Sequence, residues 1–163
     1  MTRGDRAPEY GAPMLHAARR LGAVGFDGLI GLELDAVTAE EVRGHVALRD
    51  ELRQPFGLVH GGVYASIAES TTSLATGLSV ADDGMIATGQ SNQTSFLRPI
   101  TEGTIHVLAR RRHRGRTSWV WEVDFSDDAG RLCAIVRMTI AVRPRAAGGS
   151  SEQAGLASMI DVT

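Results

Sequence analysis

The residues with chemistry to offer sit close together: His60, Gly61, Gly62 and, eight positions after Gly61, Glu69. From Gly61 to Ala81 the chain reads GGVYASIAESTTSLATGLSVA, and Glu69 is its only charged residue. This pattern predicts a helix over residues 61–80 that buries much of its surface. A carboxylate in such a segment loses hydration when the helix packs, and that cost points to a use. A helix N-terminus leaves backbone N–H groups that no earlier carbonyl satisfies, and these polarise a carbonyl oxygen. Gly61 and Gly62 carry no side chain to block the approach. An unpaired amide combined with an acid that attacks, or that activates water, is a kit for cleaving an acyl bond. The plainer readings are a glycine turn that merely opens a helix, and a carboxylate satisfied by the hydroxyls of Ser66, Ser70 and Ser73. Against the second, a neutral Gln or Leu would cost less at that position.

Helix geometry adds a constraint. Gly61 and Glu69 stand about 12 Å apart along the axis at ~1.5 Å per residue. A glutamate side chain cannot span that gap, so one carbonyl cannot meet both groups from the same helix. The site must combine Gly61 of one copy with Glu69 of another, which predicts an obligate homodimer with two equivalent shared sites.

The elements around this helix follow from period-two patterns. Strands are predicted at 32–37, 42–48, 85–96, 104–112, 117–126 and 131–143. Val42, Gly44, Val46 and Leu48 share one face; so do Trp119, Trp121, Val123 and Phe125; so do Leu132, Ala134, Val136, Met138, Ile140 and Val142. His113-Arg-Gly and Asp127-Asp-Ala-Gly130 read as hairpin turns. Short connections imply an antiparallel sheet, and a sheet's apolar face must be covered. The one long helix has to cover it. The predicted class is α+β, an antiparallel sheet of five to six strands wrapped around a central helix. The expected division is an extension over 1–25, with a short helix at 14–22 ended by Gly22, one domain over 26–145, and a flexible tail over 146–163.

Gln54-Pro-Phe-Gly-Leu-Val-His60-Gly-Gly62, then Glu69, then Gln90-Ser-Asn-Gln-Thr-Ser-Phe-Leu-Arg98-Pro99 resembles the hot-dog acyl-CoA thioesterases. The branch it is most similar to is the PaaI-like one, which includes 4-hydroxybenzoyl-CoA thioesterases with a helical glutamate. The resemblance spans about Leu29 to Arg145 and includes Asp127-Asp-Ala-Gly-Arg-Leu-Cys133 and Ala141-Val-Arg-Pro-Arg145. It implies a hot-dog fold, thioester hydrolysis of an acyl-CoA, and a homodimer often doubled to a homotetramer. It assigns Glu69 as nucleophile or general base and Gly61 as the carbonyl-polarising amide. Gln54 and His60 would orient the thioester and its loop, with His60 mainly organising the loop. Ser73, one turn after Glu69, would orient the attacking group. CoA would lie near Arg98, Arg116, Thr117 and Ser118 and the end of the last strand, where Arg143 and Arg145 stand. Arg110, Arg111, Arg112, Arg114 and Arg116 form the densest positive cluster, read equally as a phosphate patch or as a solvated hairpin. In the 4-hydroxybenzoyl branch a second acid follows the helical glutamate by five residues; here Leu74 stands there. The resemblance therefore implies a less polar acyl group, aryl or aryl-like.

Composition bounds the rest. The chain has 163 residues, 43% hydrophobic and 22% charged, with a net charge of −2. That is one ordinary domain with no electrostatic case for nucleic acid or an anionic membrane. The single Cys133 permits no intrachain disulfide and reads as a core residue. No segment has transmembrane length and no signal peptide is legible, so a cytoplasmic address is expected. The five histidines show no ligand spacing with acids, so neither a metal nor another cofactor is expected. Two other functions fit the same residues. One is a hydratase or dehydratase using His60 and Glu69 as acid and base. The other is a non-catalytic acyl-CoA-binding module, which would have no need of the acid.

Overall fold

The computed structural model describes residues 12–145. The predicted tail, and the extension before residue 12, lie outside the described residues. The chain runs α1 (Ala12–Gly22), α2 (Gly25–Ile30), β1 (Glu33–Val37), β2 (Glu41–Ala47), a single 3-10 turn (Asp50–Leu52), α3 (Gly61–Val80), β3 (Met85–Phe96), β4 (Thr104–Arg114), β5 (Ser118–Ser126) and β6 (Leu132–Pro144). The six strands form one antiparallel sheet in the order β1-β2-β4-β5-β6-β3. Its ends are β1 and the twelve-residue β3.

The sheet's inner face and one side of α3 make the core. Val63, Tyr64, Ile67, Ala68, Thr71, Ala75 and Val80 of α3 are buried, as are Trp119, Trp121, Val123 and Phe125 of β5 and Val136, Met138 and Ile140 of β6. These are the period-two faces predicted from the sequence, apart from Leu132, which is exposed where the β5–β6 register slips next to Ser126. A central helix can be so rich in threonine because its hydroxyls bond back to its own carbonyls. Thr71 Oγ1 donates to Ile67 O at 2.7 Å, Thr72 to Ala68 O at 2.7 Å and Thr76 to Thr72 O at 2.7 Å. The Thr76 hydroxyl also accepts from the Trp121 indole at 3.1 Å, which ties α3 to β5. At Gly44 a Cβ would stand 2.5 Å from the Glu33 carbonyl, so only glycine fits beside the β1 bulge.

Two features depart from the sequence reading. β3 does not lie beside its neighbours in sequence; it crosses to the far edge and pairs with β6, Met85 opposite Pro144 and Phe96 opposite Ala134. And α2, at residues 25–30, was not foreseen, because GFDGLI carries two glycines and reads as loop. It is held from outside: the Arg49 guanidinium donates to the carbonyls of Leu29 and Ile30.

Candidate active site

α3 opens at the expected glycines. His60 is its N-cap residue, and the ring's Nδ1 accepts the Gly62 N–H at 3.0 Å. Nδ1 must be unprotonated to do so. The Val63 N–H reaches the His60 carbonyl at 2.9 Å. Among the described residues this leaves the Gly61 N–H without a partner. A Cβ on Gly61 would stand 2.6 Å from the Phe96 ring, so a side chain there would meet β3. Gln54 lies in the preceding loop. Its backbone N–H donates to Leu58 O at 2.8 Å and its backbone carbonyl accepts from the N–H of Gly57, whose φ of +85° needs glycine.

Two turns on, Glu69 is exposed in the single chain, not buried as its apolar surroundings suggested. The carboxylate lies over Gly89 of β3, where a Cβ would come within 2.6 Å of its Oε1. None of the three nearby serines bonds to it. Ser66 Oγ donates to Gly62 O at 2.8 Å, Ser70 Oγ donates to the Asp27 carboxylate of α2, and the Ser73 hydroxyl is buried with no partner among the described residues. Glu69, Ser73, Leu74, Leu78, Met85, Ile86 and Ala87 line a cleft of about 670 Å³, closed on another side by Leu21, Phe26 and Asp27 and touched by Arg145. This size suits a small-molecule ligand. Asn92 ties β3 to α3, its Nδ2 donating to Ala65 O at 2.9 Å and its Oδ1 accepting from Thr94.

The basic residues assigned to CoA do not converge within one chain. Arg98 donates to Leu132 O at 3.0 Å, at the start of β6. Arg143, near the other end of β6, donates to Thr117 O at 2.7 Å, and Thr117 and Ser118 lie beside it. Leu132 and Arg143 are eleven residues apart on the strand, about 36 Å at ~3.3 Å per residue. Arg116 is exposed next to Thr117. Most of the other arginines in this cluster are already engaged. Arg110 pairs with Asp124, Arg111 with Glu40, and Arg112 with Glu122, while Arg111 and Arg114 stack on the Trp119 ring at 4.8 and 5.0 Å.

Sequence reasoning missed the α2 residues Phe26 and Asp27. The only sign of them was an aromatic and an acid inside a glycine-rich stretch. Among the described residues no helix is long and apolar enough to cross a membrane.

The chain is similar to known proteins in sequence and in fold. Residues 56–134 match the family model described as the thioesterase superfamily. The proofreading thioesterase EntH of Cronobacter turicensis is 31% identical over 113 residues, 69% of this chain and 82% of that protein. PA1618 of Pseudomonas aeruginosa is 35% identical over 118 residues, covering 72% of this chain and 81% of PA1618. The crystal structure of a mutant of that thioesterase superposes with a TM-score of 0.76 at 28% identity, over 88% of this chain and all (100%) of the other. The thioesterase HI1161 of Haemophilus influenzae gives a TM-score of 0.76 at 26% identity, over 83% of this chain and 94% of that one.

Proposed function

The chain belongs to the thioesterase superfamily and is a thioester hydrolase with the hot-dog fold, and from that premise we propose that it cleaves an acyl-CoA at a site shared by two copies. The observation that carries the reading is the Gly61 amide, left free when His60 takes the Gly62 N–H, on the same helix as a carboxylate lodged in a ligand-sized cleft. The thioester oxygen accepts the Gly61 N–H of one copy, and Glu69 of the other faces the carbonyl carbon. Glu69 adds to that carbon, or takes a proton from a water that adds. The amide stabilises the oxyanion that forms. Collapse of the tetrahedral adduct breaks the C–S bond and the CoA sulfur gains a proton; where Glu69 has added, water then cleaves the acyl–glutamyl anhydride and frees the acid and the carboxylate, and where water has added the acid forms directly. Ser73, with its free hydroxyl beside Glu69, orients the attacking group. His60 holds the loop and the helix start, and Gln54 sets the loop that leads to it.

The acyl group is aryl or aryl-like. The cleft's walls at Leu74, Leu78, Met85 and Ile86 are apolar, which supports a ring over a charged chain. Arg98 and the group Arg116, Thr117, Ser118 and Arg143 serve the CoA phosphates, contributed to one site by different copies because a single chain holds them so far apart. Arg145 borders the cleft itself.

Glu69→Ala tests the assignment. Release of free thiol from aryl-CoA esters should fall by about 10²–10⁴-fold with little change in the affinity for an unreactive analogue. A kcat near that of the wild type would remove Glu69 from the chemistry. Hydration of an enoyl-CoA with no thiol released would replace hydrolysis with the other reaction.

A further inference from the structure

We propose that Phe26 determines specificity as the partition that limits how long an acyl group the enzyme accepts. This rests on the reading above that the acyl end of the thioester enters the cleft beside Glu69.

Phe26 borders two cavities. One is the 670 Å³ cleft that contains Glu69. The other, about 550 Å³, lies across α2; Leu29, Ile30, Leu52 and Val63 give it an apolar side, Arg49, Glu51 and Arg53 a charged one, and it reaches His60 and Gly62. Two residues line both: Phe26 and Ser66. Ser66 is small and its hydroxyl is spent on Gly62 O. The aromatic ring is therefore the larger side chain at the junction of the two clefts. It is 59% exposed and not packed as core, so its bulk is free to stand where they meet. Its element is fixed at separate points. Asp27, the next residue, accepts from Ser70 of α3, and Arg49 holds the carbonyls of Leu29 and Ile30. Gly25, the first residue of α2, and Gly31, just past its last, have φ of +65° and +73°, so the five residues between them keep one orientation through these ties.

Each cavity alone has the volume of a complete ligand site. A ring-sized acyl group needs only the first. A long alkyl chain that continues along the apolar side of the second cleft, at Leu29, Ile30, Leu52 and Val63, meets the Phe26 ring where the two clefts join. Shortening this side chain joins the cavities without touching Glu69, Gly61 or Ser73. Each further methylene brought under apolar cover is worth about fourfold in affinity.

The experiment uses unreactive thioether analogues of CoA, one carrying a benzyl-type group and one a long straight chain, with affinities measured by calorimetry on the full chain. In Phe26→Ala the long-chain analogue should gain at least about tenfold relative to the aryl one. Phe26→Trp, which keeps the partition, should retain the wild-type ratio. Parallel measurements of kcat/KM on the matching thioesters should shift the same way. An unchanged ratio in Phe26→Ala, or equal shifts in both variants, would overturn the proposal. If the wild type binds the analogues but releases no thiol from the esters, the hydrolytic site assignment fails while the binding ratio still decides the role of Phe26. If it binds neither analogue, both fall.

Discussion

Tyr64 shows how a single residue near the proposed site trades packing against polarity. It follows Gly61 by three positions, and its ring meets Phe96 at 6.1 Å and Phe125 at 5.2 Å. Its hydroxyl is buried with no partner among the described residues. Burial first, and the neighbouring Cys133 thiol second, push the phenol up from 10.0 to about 12. A raised value means that the folded state disfavours the phenolate. The stability this represents is complete below pH 10 and is lost as pH rises through about 12. Tyr64→Phe removes the unsatisfied group and keeps the ring. It should raise stability by about 1 kcal/mol at neutral pH and remove this part of the alkaline loss, as read by denaturant unfolding at a series of pH values. A variant less stable than the wild type at neutral pH would mean that the hydroxyl has a partner in the assembled protein. Nothing in the sequence marks this residue, because a tyrosine in a helix looks the same whether its hydroxyl is met or not. Glu69 is the opposite case. Its isolation among small and apolar residues was legible, but its exposure was not, since the composition of a helix does not say which side the rest of the chain leaves open.

At the scale of elements, legibility followed the strength of the pattern. Alternation along β5 and β6 located both strands within a residue or so and identified most of their buried faces. The same kind of signal was absent in α2, whose two glycines and exposed Phe26 and Leu29 give neither a helical stripe nor a strand alternation. That helix exists because outside partners, Arg49 and Ser70, hold it, and long-range bonds of that sort leave no local mark. The β5–β6 hairpin was legible from Asp127-Asp-Ala-Gly130, and its chemistry gives a further prediction. Asp127 Oδ1 accepts the amides of Ala129 and Arg131 at 3.1 and 2.9 Å, while Oδ2 accepts from the Arg131 side chain at 2.7 Å. These bonds, that of the Arg131 side chain foremost, hold the carboxyl below the ordinary 3.8. A depressed value contributes stability that is complete above the unfolded value of 3.8 and is lost as pH falls through the folded one. Asp127→Asn keeps an oxygen for the two amides and loses the ion pair. The gap in melting temperature between wild type and variant should be widest near neutrality and should close below pH 3.8. A gap independent of pH would show that the charge plays no part.

At the scale of the whole molecule, the single chain is an incomplete version of the proposed site. Its free amide and its carboxylate stand about 12 Å apart on one rigid helix. Its basic residues sit at opposite ends of β6. The order of the strands could not be read from sequence, because β3 pairs with the strand furthest from it along the chain among those that follow. That order leaves β3 at an edge, its residues from Thr88 onward largely exposed, with Phe96 and Leu97 60% and 55% open to solvent. A long bare edge strand is a surface that proteins ordinarily cover or pair. Two copies resolve the distance problem only if each lends a different end of α3, and mixing tests this directly. Glu69→Ala removes the acid and leaves the amide. Gly61→Pro removes the amide hydrogen at the first helical position, where proline's φ is tolerated, at the cost of displacing the end of the exposed Phe96 ring. Each variant alone should be inactive. Refolded together in equal amounts, half of the dimers should be mixed, and each mixed dimer should hold one site with both groups intact, so that about a quarter of wild-type activity returns. Activity that stays at the level of the separate variants, while sizing or mass measurement shows that mixed dimers have formed, would place both groups in one chain and end the shared-site reading.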